Sequence, residues 1–492
     1  MYLGQGILNP AIPSPDFSPM KVPPMKKYGI PTLLLLLLAP TILRAQQPLS
    51  GNWEGSIQIM GQRLAIIVHF ENDSTATIDI PQQNAAGLRL TNVRYQHPNM
   101  RFELPAGPGL ATFEGVLKDE EITGEFKQAG VAGTFRLTRG EPSKEEKIAE
   151  PPPPYGQEEV VFSDDTVKLA GTLTLPPEEG RHPAVIMITG SGAQNRDEEL
   201  FGFKPFKIIA DYFTRNGIAV LRYDDRGVGG SSGNTSQSTT RDFASDALAA
   251  LRYLQTRPDI NPRQIGLCGH SEGGIVAPLA ASRSKDVAFI ILISGPALDG
   301  ERILLAQAEL IMRADSASEK EIKDALALNK RIYDVVREGK NPDEFRAELE
   351  QTIRNEINDM KPERRQAIKD PDAYVNARVE AMVKQVETPW FRYFLTYDPA
   401  QALERAHCPV LALFGERDLQ VPAEMDKTAM EKALRKGENK DFTLKILPKA
   451  NHLFLTAVTG SPSEYASMKK EFVPGFLETM TSWILKHVTI VK

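Results

Sequence analysis

Gly269-His270-Ser271-Glu272-Gly273-Gly274 is the stretch on which the reading of this chain turns. Gln264-Ile265-Gly266-Leu267-Cys268 leads into it as a short apolar run with the character of a buried strand. The small and apolar residues from Ile275 to Ala281 follow it as a helix suited to packing on a sheet. The serine therefore sits between strand and helix in the pattern G-x-S-x-G. A nucleophile that projects from so tight a turn needs strained backbone angles. Side chains at Gly269 or Gly273 would collide with the strand or the helix. The helix expected over 273–283 aims its N-terminus, with unpaired N–H groups, at the charge that develops during attack.

A serine hydroxyl at neutral pH is a weak nucleophile and needs a base within hydrogen-bond reach, itself oriented by a carboxylate. Among the seven histidines, His452 is the best placed, because it follows the strand Phe442–Leu447 through the short loop Pro448-Lys449-Ala450-Asn451. His182 and His407 fall at the opposite ends of strands, and His487 lies in the terminal helix. His270 adjoins the serine, but neighbouring side chains at such a turn point apart. The carboxylate is expected from Gly415-Glu416-Arg417-Asp418, just beyond the strand Val410–Phe414. Asp418 is favoured, with Glu416 as the nearer alternative. An oxyanion needs two convergent N–H groups. Glu272 supplies one, and the other is expected from Thr189-Gly190-Ser191-Gly192-Ala193, with Ser191 preferred and Gly192 as the fallback. The acidic run Asp197-Glu198-Glu199 reads as a solvated loop.

Outward from this region, residues 158–492 alternate near-continuous apolar strands with helices, the signature of a mostly parallel sheet covered on both faces. A crossover needs roughly a dozen residues, yet residues 294–409 separate two of these strands. They read as a helical lid of about 300–400 over the C-terminal strand edge, where ligands bind in open α/β sheets. Ser318 with Glu321 forms a capping box, Gly339 ends that helix and Asn341-Pro342 opens the next. Trp390, Phe391, Tyr393 and Phe394 close the lid as an aromatic cluster. They are either lid core or, for Trp390 and Phe394 above all, the wall of an acyl pocket. Upstream, residues 48–138 alternate with period two over about eight strands, as in a small antiparallel barrel or sandwich. Its lone histidines, His69 and His97, read as structural. The charged, proline-rich segment 139–157 reads as a linker.

Composition narrows the function classes. With 492 residues, 41% hydrophobic and 25% charged, the chain has the makeup of a multidomain globular protein. A net charge of −6 gives no reason to expect nucleic acid as a partner. Two cysteines cannot make a disulfide framework, and no spacing calls for a metal or another cofactor. Lys26-Lys27, the run Leu33 to Leu38 and Leu43-Arg44-Ala45 have the three parts of a secretory signal. Residues 1–45 are therefore expected to be removed on export to the periplasm or beyond, with 1–24 an over-extended start, leaving no integral membrane span.

Residues 158–492 resemble the α/β-hydrolase superfamily, and within it bacterial carboxylesterases of the dienelactone-hydrolase and serine-aminopeptidase type. The matching segments are Thr189-Gly190-Ser191-Gly192, Asp224 to Ser231, Gly269 to Gly274, Gly415 to Asp418 and Asn451-His452. The resemblance implies an α/β-hydrolase fold and makes Asp225 and Arg226 a structural turn. The chain departs from many relatives in placing Thr189 where they have a histidine, and in its long lid. The reading is an exported serine hydrolase that cleaves small-molecule carboxylic esters of short to medium acyl chains through Ser271, His452 and Asp418. A peptidase or aminopeptidase, or an acyltransferase or thioesterase, could run on the same triad. In a different class stands an envelope glycan- or lipid-binding protein with a vestigial hydrolase domain.

Overall fold

The computed structural model describes residues 49–59, 62–80, 85–105, 109–139, 153–200, 202–339, 343–360 and 362–490. The expected signal segment, most of the proline-rich linker and Asn341-Pro342 lie outside the described residues. The first strands are β1 (Gly51–Ile59), β2 (Gln62–Asn72), β3 (Thr75–Ile80) and β4 (Ala85–Arg89). They are followed by β5 (Thr91–Gln96), β6 (Asn99–Pro105), β7 (Leu110–Lys118), β8 (Glu121–Gln128) and β9 (Val131–Arg139). All neighbours are antiparallel, in the order β4-β3-β2-β1-β9-β8-β7-β6-β5. The two ends of that order are consecutive in sequence, and between them Leu90 N–H donates to the Ala76 carbonyl of β3 at 3.0 Å. The sheet thus rolls around one apolar interior, where Trp53, Val68, Ile78, Phe102, Ile122 and Leu137 are fully buried. Each such side chain contributes about 1.5–3 kcal/mol relative to exposure.

The strand absent from the sequence reading is β5. Along Thr91–Gln96 only Val93 is buried, so the period-two signal is too thin to register.

The second sheet begins with β10 (Gly156–Asp164), β11 (Val167–Leu175) and β12 (His182–Ile188), followed by α1 (Pro205–Arg215) and β13 (Ala219–Tyr223). Next come α2 (Thr240–Gln255), β14 (Ile260–His270), α3 (Gly273–Ala281) and β15 (Ile290–Ile293). The lid comprises α4 (Gly300–Ala314), α5 (Glu319–Arg337), α6 (Asp343–Asp359), α7 (Pro362–Ala367), α8 (Pro371–Val386) and α9 (Pro389–Thr396). The chain returns through α10 (Ala400–Leu403), β16 (Val410–Gly415), α11 (Ala423–Lys436) and β17 (Phe442–Leu447), and ends in α12 (Phe476–His487). No described helix is long and apolar enough to cross a membrane.

Strand order is β10-β11-β13-β12-β14-β15-β16-β17, antiparallel as far as β13 and parallel thereafter. Along β14, Leu267 packs with α2, α3 and α11 on one face, and Cys268 with α1 and α12 on the other. Both faces are covered, which is why these strands read as unbroken apolar runs. Burial pushes the Cys268 thiol well above its usual range, so it behaves as a small core residue.

The lid has its own core, with Ile332, Leu349, Ile353, Val375, Val379 and Phe391 buried among its helices. The capping box at the start of α5 is present, Ser318 Oγ accepting from Glu321 N–H at 3.3 Å while the Glu321 carboxylate accepts from Ser318 N–H at 2.7 Å. The first domain docks on this lid. Val131 joins the lid cluster and bridges Ile368, and the Gly130 carbonyl accepts from Lys369 and Asp370 N–H at 2.8 and 2.9 Å.

Gly130 has φ +77°, and a Cβ there would sit 2.2 Å from the Asp370 carbonyl. Gly130→Ala is therefore expected to separate the two domains without unfolding either. Hydrogen exchange checks this: the Lys369 and Asp370 amides should exchange at least about 10-fold faster than in the wild type, while β14 is unchanged. Equal protection in both proteins would show that the contact does not hold the domains together.

Candidate active site

Three loops meet at the C-terminal edge of the second sheet. Ser271 follows β14 with φ +53°, the left-handed region that a serine occupies only where its surroundings impose it. Its N–H donates to the Ile293 carbonyl at 2.9 Å, and its carbonyl accepts from Gly274 N–H at 2.8 Å. A Cβ on Gly269 would lie 1.9 Å from the Gly273 carbonyl, and one on Gly273 would lie 2.3 Å from the Ile188 carbonyl. Gly269 is thus required by the close crossing of strand and helix within the motif, the reason inferred from the sequence, and Gly273 by the close approach of the neighbouring strand β12.

His452 and Asp418 come together. His452 Nδ1 lies 2.9 Å from Asp418 Oδ2, with both side chains buried. The acceptor facing Nδ1 assigns the proton to that nitrogen and leaves Nε2 with its lone pair. Asp418 Oδ1 accepts from Gln420 and Val421 N–H at 2.8 and 2.9 Å, which fixes the carboxylate plane. Burial works to raise the Asp418 pKa, but the facing His452 and these donors outweigh it and hold the carboxyl below its ordinary value. Glu416, the alternative, points elsewhere, its carboxylate accepting from Lys449 N–H at 2.7 Å. It clamps the loop that carries His452, and buried Asn451 stiffens that loop from within by accepting from Leu453 and Leu455 N–H.

The loop after β12 passes directly over the serine, since a Cβ on Gly190 would lie 3.2 Å from the Ser271 Cβ. Asp225 pins the loop at both ends, accepting from the Thr189 hydroxyl at 2.7 Å and from Gln194 N–H at 2.9 Å. Gly190 N–H is committed to Glu198 Oε1 at 2.6 Å. The next N–H groups along the loop are those of Ser191 and Gly192. Arg226 is held apart, its guanidinium bonded to Asp246 at 2.6 and 2.7 Å.

Two features escaped the sequence. First, Glu198 is not solvated but 6% exposed, and His270 lies between it and the base loop. Second, the Glu272 side chain is buried under the lid, accepting from the Thr240 hydroxyl at 2.6 Å and from the Trp390 indole N–H at 2.8 Å. Burial drives the Glu272 carboxyl up, while hydrogen bonds from Thr240, Trp390 and Ser191 oppose the shift. Of the four lid aromatics, Phe391 and Phe394 are buried in the lid core and Tyr393 stacks on Tyr397. Trp390 stacks on Phe394 with ring centroids 5.1 Å apart while reaching the elbow. An indole over a glutamate had no sequence signal beyond the aromatic cluster itself.

A parallel-rich sheet with a serine elbow after its central strand and helices on both faces defines an α/β-hydrolase. The family profile described as "Serine aminopeptidase, S33" matches residues 204–457, more than half of the chain. The chain belongs to that family. It is 29% identical over 320 residues to an esterase, EstD of Thermotoga maritima, an alignment covering 65% of this chain and 66% of the relative. It is 35% identical over 132 residues to a thiohydrolase, AneE of Aspergillus aculeatus, covering 26% of this chain and 38% of that one. The chain thus spans just under two thirds of the first relative and well under half of the second. Among solved structures, the α/β-hydrolase GrgF of Penicillium sp. aligns at a TM-score of 0.40 and 20% identity, over 68% of this chain and 97% of that one.

Proposed function

We propose that the protein is an exported serine hydrolase that cleaves carboxylic esters of short to medium acyl chains through an acyl-enzyme. The observation that carries this reading is the His452–Asp418 pair, set at the same sheet edge as the Ser271 elbow. In the proposed cycle His452 Nε2 takes the proton of the Ser271 hydroxyl as its oxygen bonds to the acyl carbon. The carbonyl oxygen gathers charge between the N–H groups of Glu272 and Ser191, or Gly192. The proton then passes to the leaving alcohol, and water repeats the sequence to release the acid. The esterase among the relatives supports this bond class; the family's own description favours an aminopeptidase as the second reading. Turnover of p-nitrophenyl esters against aminoacyl-anilides separates the two, and labelling by a fluorophosphonate tests the serine itself.

Export is part of the proposal and rests on the composition of residues 1–45. Protein recovered after expression with this leader should begin at Gln46; an intact leader in the recovered protein would count against it. Contact with an envelope partner through the first domain is a further part. In its support, the outer face of β5 to β8 carries an open groove of about 740 Å³, lined among others by Arg94, Tyr95, Arg101, Glu114 and Thr123. Such a mixed polar lining suits the hydroxyls of a glycan.

The lid is proposed to select the acyl chain, with Trp390 as its wall and Phe394 stacked behind it. Each buried methylene is worth about 0.8 kcal/mol, and one methylene more or less discriminates about 10-fold or more. Trp390→Ala and Phe394→Ala are expected to move the preferred chain length by a few carbons while sparing acetate. The measurement is kcat/KM against acyl length for each variant beside the wild type. Curves lowered equally at every length would reduce these aromatics to packing.

A further inference from the structure

Behind the nucleophile lies a second carboxylate–imidazole pair to which the proposed cycle assigns no step. Glu198 Oε1 accepts from Gly190 N–H at 2.6 Å and faces His270 Nδ1 at 2.9 Å. On its other side His270 Nε2 lies 3.0 Å from the backbone carbonyl of His452. The two histidine rings lie with centroids 4.8 Å apart. One side chain, Glu198, is therefore bonded to the oxyanion loop directly and to the base loop through a single imidazole. We propose that Glu198 and His270 are positioning residues that lock the oxyanion loop and the general base into one geometry, with His270 as a two-donor bridge. This deepens the serine-hydrolase reading and rests on it.

Hydrogen-bond accounting supports the bridge. The His452 carbonyl can only accept, so Nε2 carries a hydrogen. Oε1 of an ionised Glu198 can only accept, so Nδ1 carries the other. With Glu198 ionised, both bonds form together only when the ring carries both hydrogens. Burial disfavours the charge on His270, yet the attraction and hydrogen bond of Glu198, helped by the His452 carbonyl, leave its pKa raised. The surroundings are apolar: Phe206, Ile209, Phe454 and Phe476 line the void of about 10 Å³ beside the pair. Glu198 holds left-handed backbone, φ +50°, and its Oε2 is buried with no hydrogen-bond partner among the described residues. A buried ion pair is a costly way to fill a core. Its geometric specificity is what an apolar substitute would lack, and misplacement of reacting groups by about 1 Å can cost about 100-fold in rate.

The test uses the full chain. Glu198→Gln keeps the shape and the acceptor for Gly190 but removes the counter-charge, so the ring keeps one of its two bonds. The expected result is a fall in kcat, and in the acylation burst with p-nitrophenyl acetate, of about 10- to 100-fold, the scale on which misplacement of reacting groups by up to about 1 Å acts. KM should stay within about 3-fold, at a temperature where both proteins are fully folded. His270→Gln should match it, and the double variant should lose little more, because the two act as one unit. Nitrogen NMR of histidine-labelled wild type should show one buried ring protonated on both nitrogens at pH 7.5, a readout that stands even if the variants do not fold. A folded Glu198→Gln enzyme with wild-type kcat, or no doubly protonated ring, would overturn the bridge while leaving ester hydrolysis in place. A wild type that neither labels with fluorophosphonate nor turns over ester would overturn both.

Discussion

Ser271→Ala should lower kcat by about 10⁶ and leave a folded protein, the scale on which loss of a triad nucleophile acts. The size follows from the absence of any substitute. In the proposed cycle the acyl-enzyme forms at one oxygen, and once it is removed, only binding and the proposed oxyanion N–H groups remain to act on an incoming water. The fold should tolerate the change because the bonds that hold residue 271 in its strained conformation, to Ile293 and Gly274, are made by the backbone. Alanine keeps the Cβ and hence the same left-handed cost. The measurements are steady-state turnover of p-nitrophenyl acetate, covalent labelling by a fluorophosphonate, and the thermal midpoint. Labelling should vanish with the midpoint within a few degrees of the wild type. Near-normal esterase activity in the folded variant would remove Ser271 from the mechanism.

Asp418→Asn should cost about 10⁴ in kcat, through the wrong tautomer rather than through lost shape. In the wild type Oδ1 is occupied by Gln420 and Val421 N–H, and Oδ2 takes the proton on His452 Nδ1. An asparagine that keeps the first two bonds turns its NH₂ toward Nδ1. The imidazole then holds its hydrogen on Nε2 and has no lone pair for the serine proton. A second readout comes from linkage. Since the folded pKa of Asp418 is lowered, the group adds stability above the unfolded carboxylate value of about 3.9, and that stability is lost as pH falls through the folded value. The thermal midpoint of Asp418→Asn should therefore fall less on acidification from about pH 5 to pH 2 than that of the wild type. Unchanged kcat in the asparagine variant would place the orienting carboxylate elsewhere.

Features that depend on near neighbours in the chain are legible before any folding is considered. A strand, two glycines and a helix make the Ser271 turn out of ten or so consecutive residues, and the steric conflict that excludes a side chain at Gly269 is local, with the Gly273 carbonyl, whereas the one at Gly273 is with Ile188 of the neighbouring strand β12. Period-two burial marked most of the first sheet, and unbroken apolar runs marked the second, since each pattern repeats within one strand. The positions of Asp418 and His452 were legible for the same reason, as residues just past the ends of strands.

The remaining features join residues far apart in the chain and arise only when the elements pack. Glu198 meets His270 72 residues on, and Trp390 meets Glu272 from 118 residues away. Nothing in Asp197-Glu198-Glu199 marks the middle carboxylate as buried, because a loop has no periodicity and acidic residues usually face water. Its burial follows from Phe206, Phe454 and Phe476 arriving from three other segments. Likewise the docking of Gly130 on Asp370 depends on two backbones meeting, which no side-chain pattern records. Local sterics and periodicity can be read one element at a time. The partner of a buried polar group is chosen only when the elements pack.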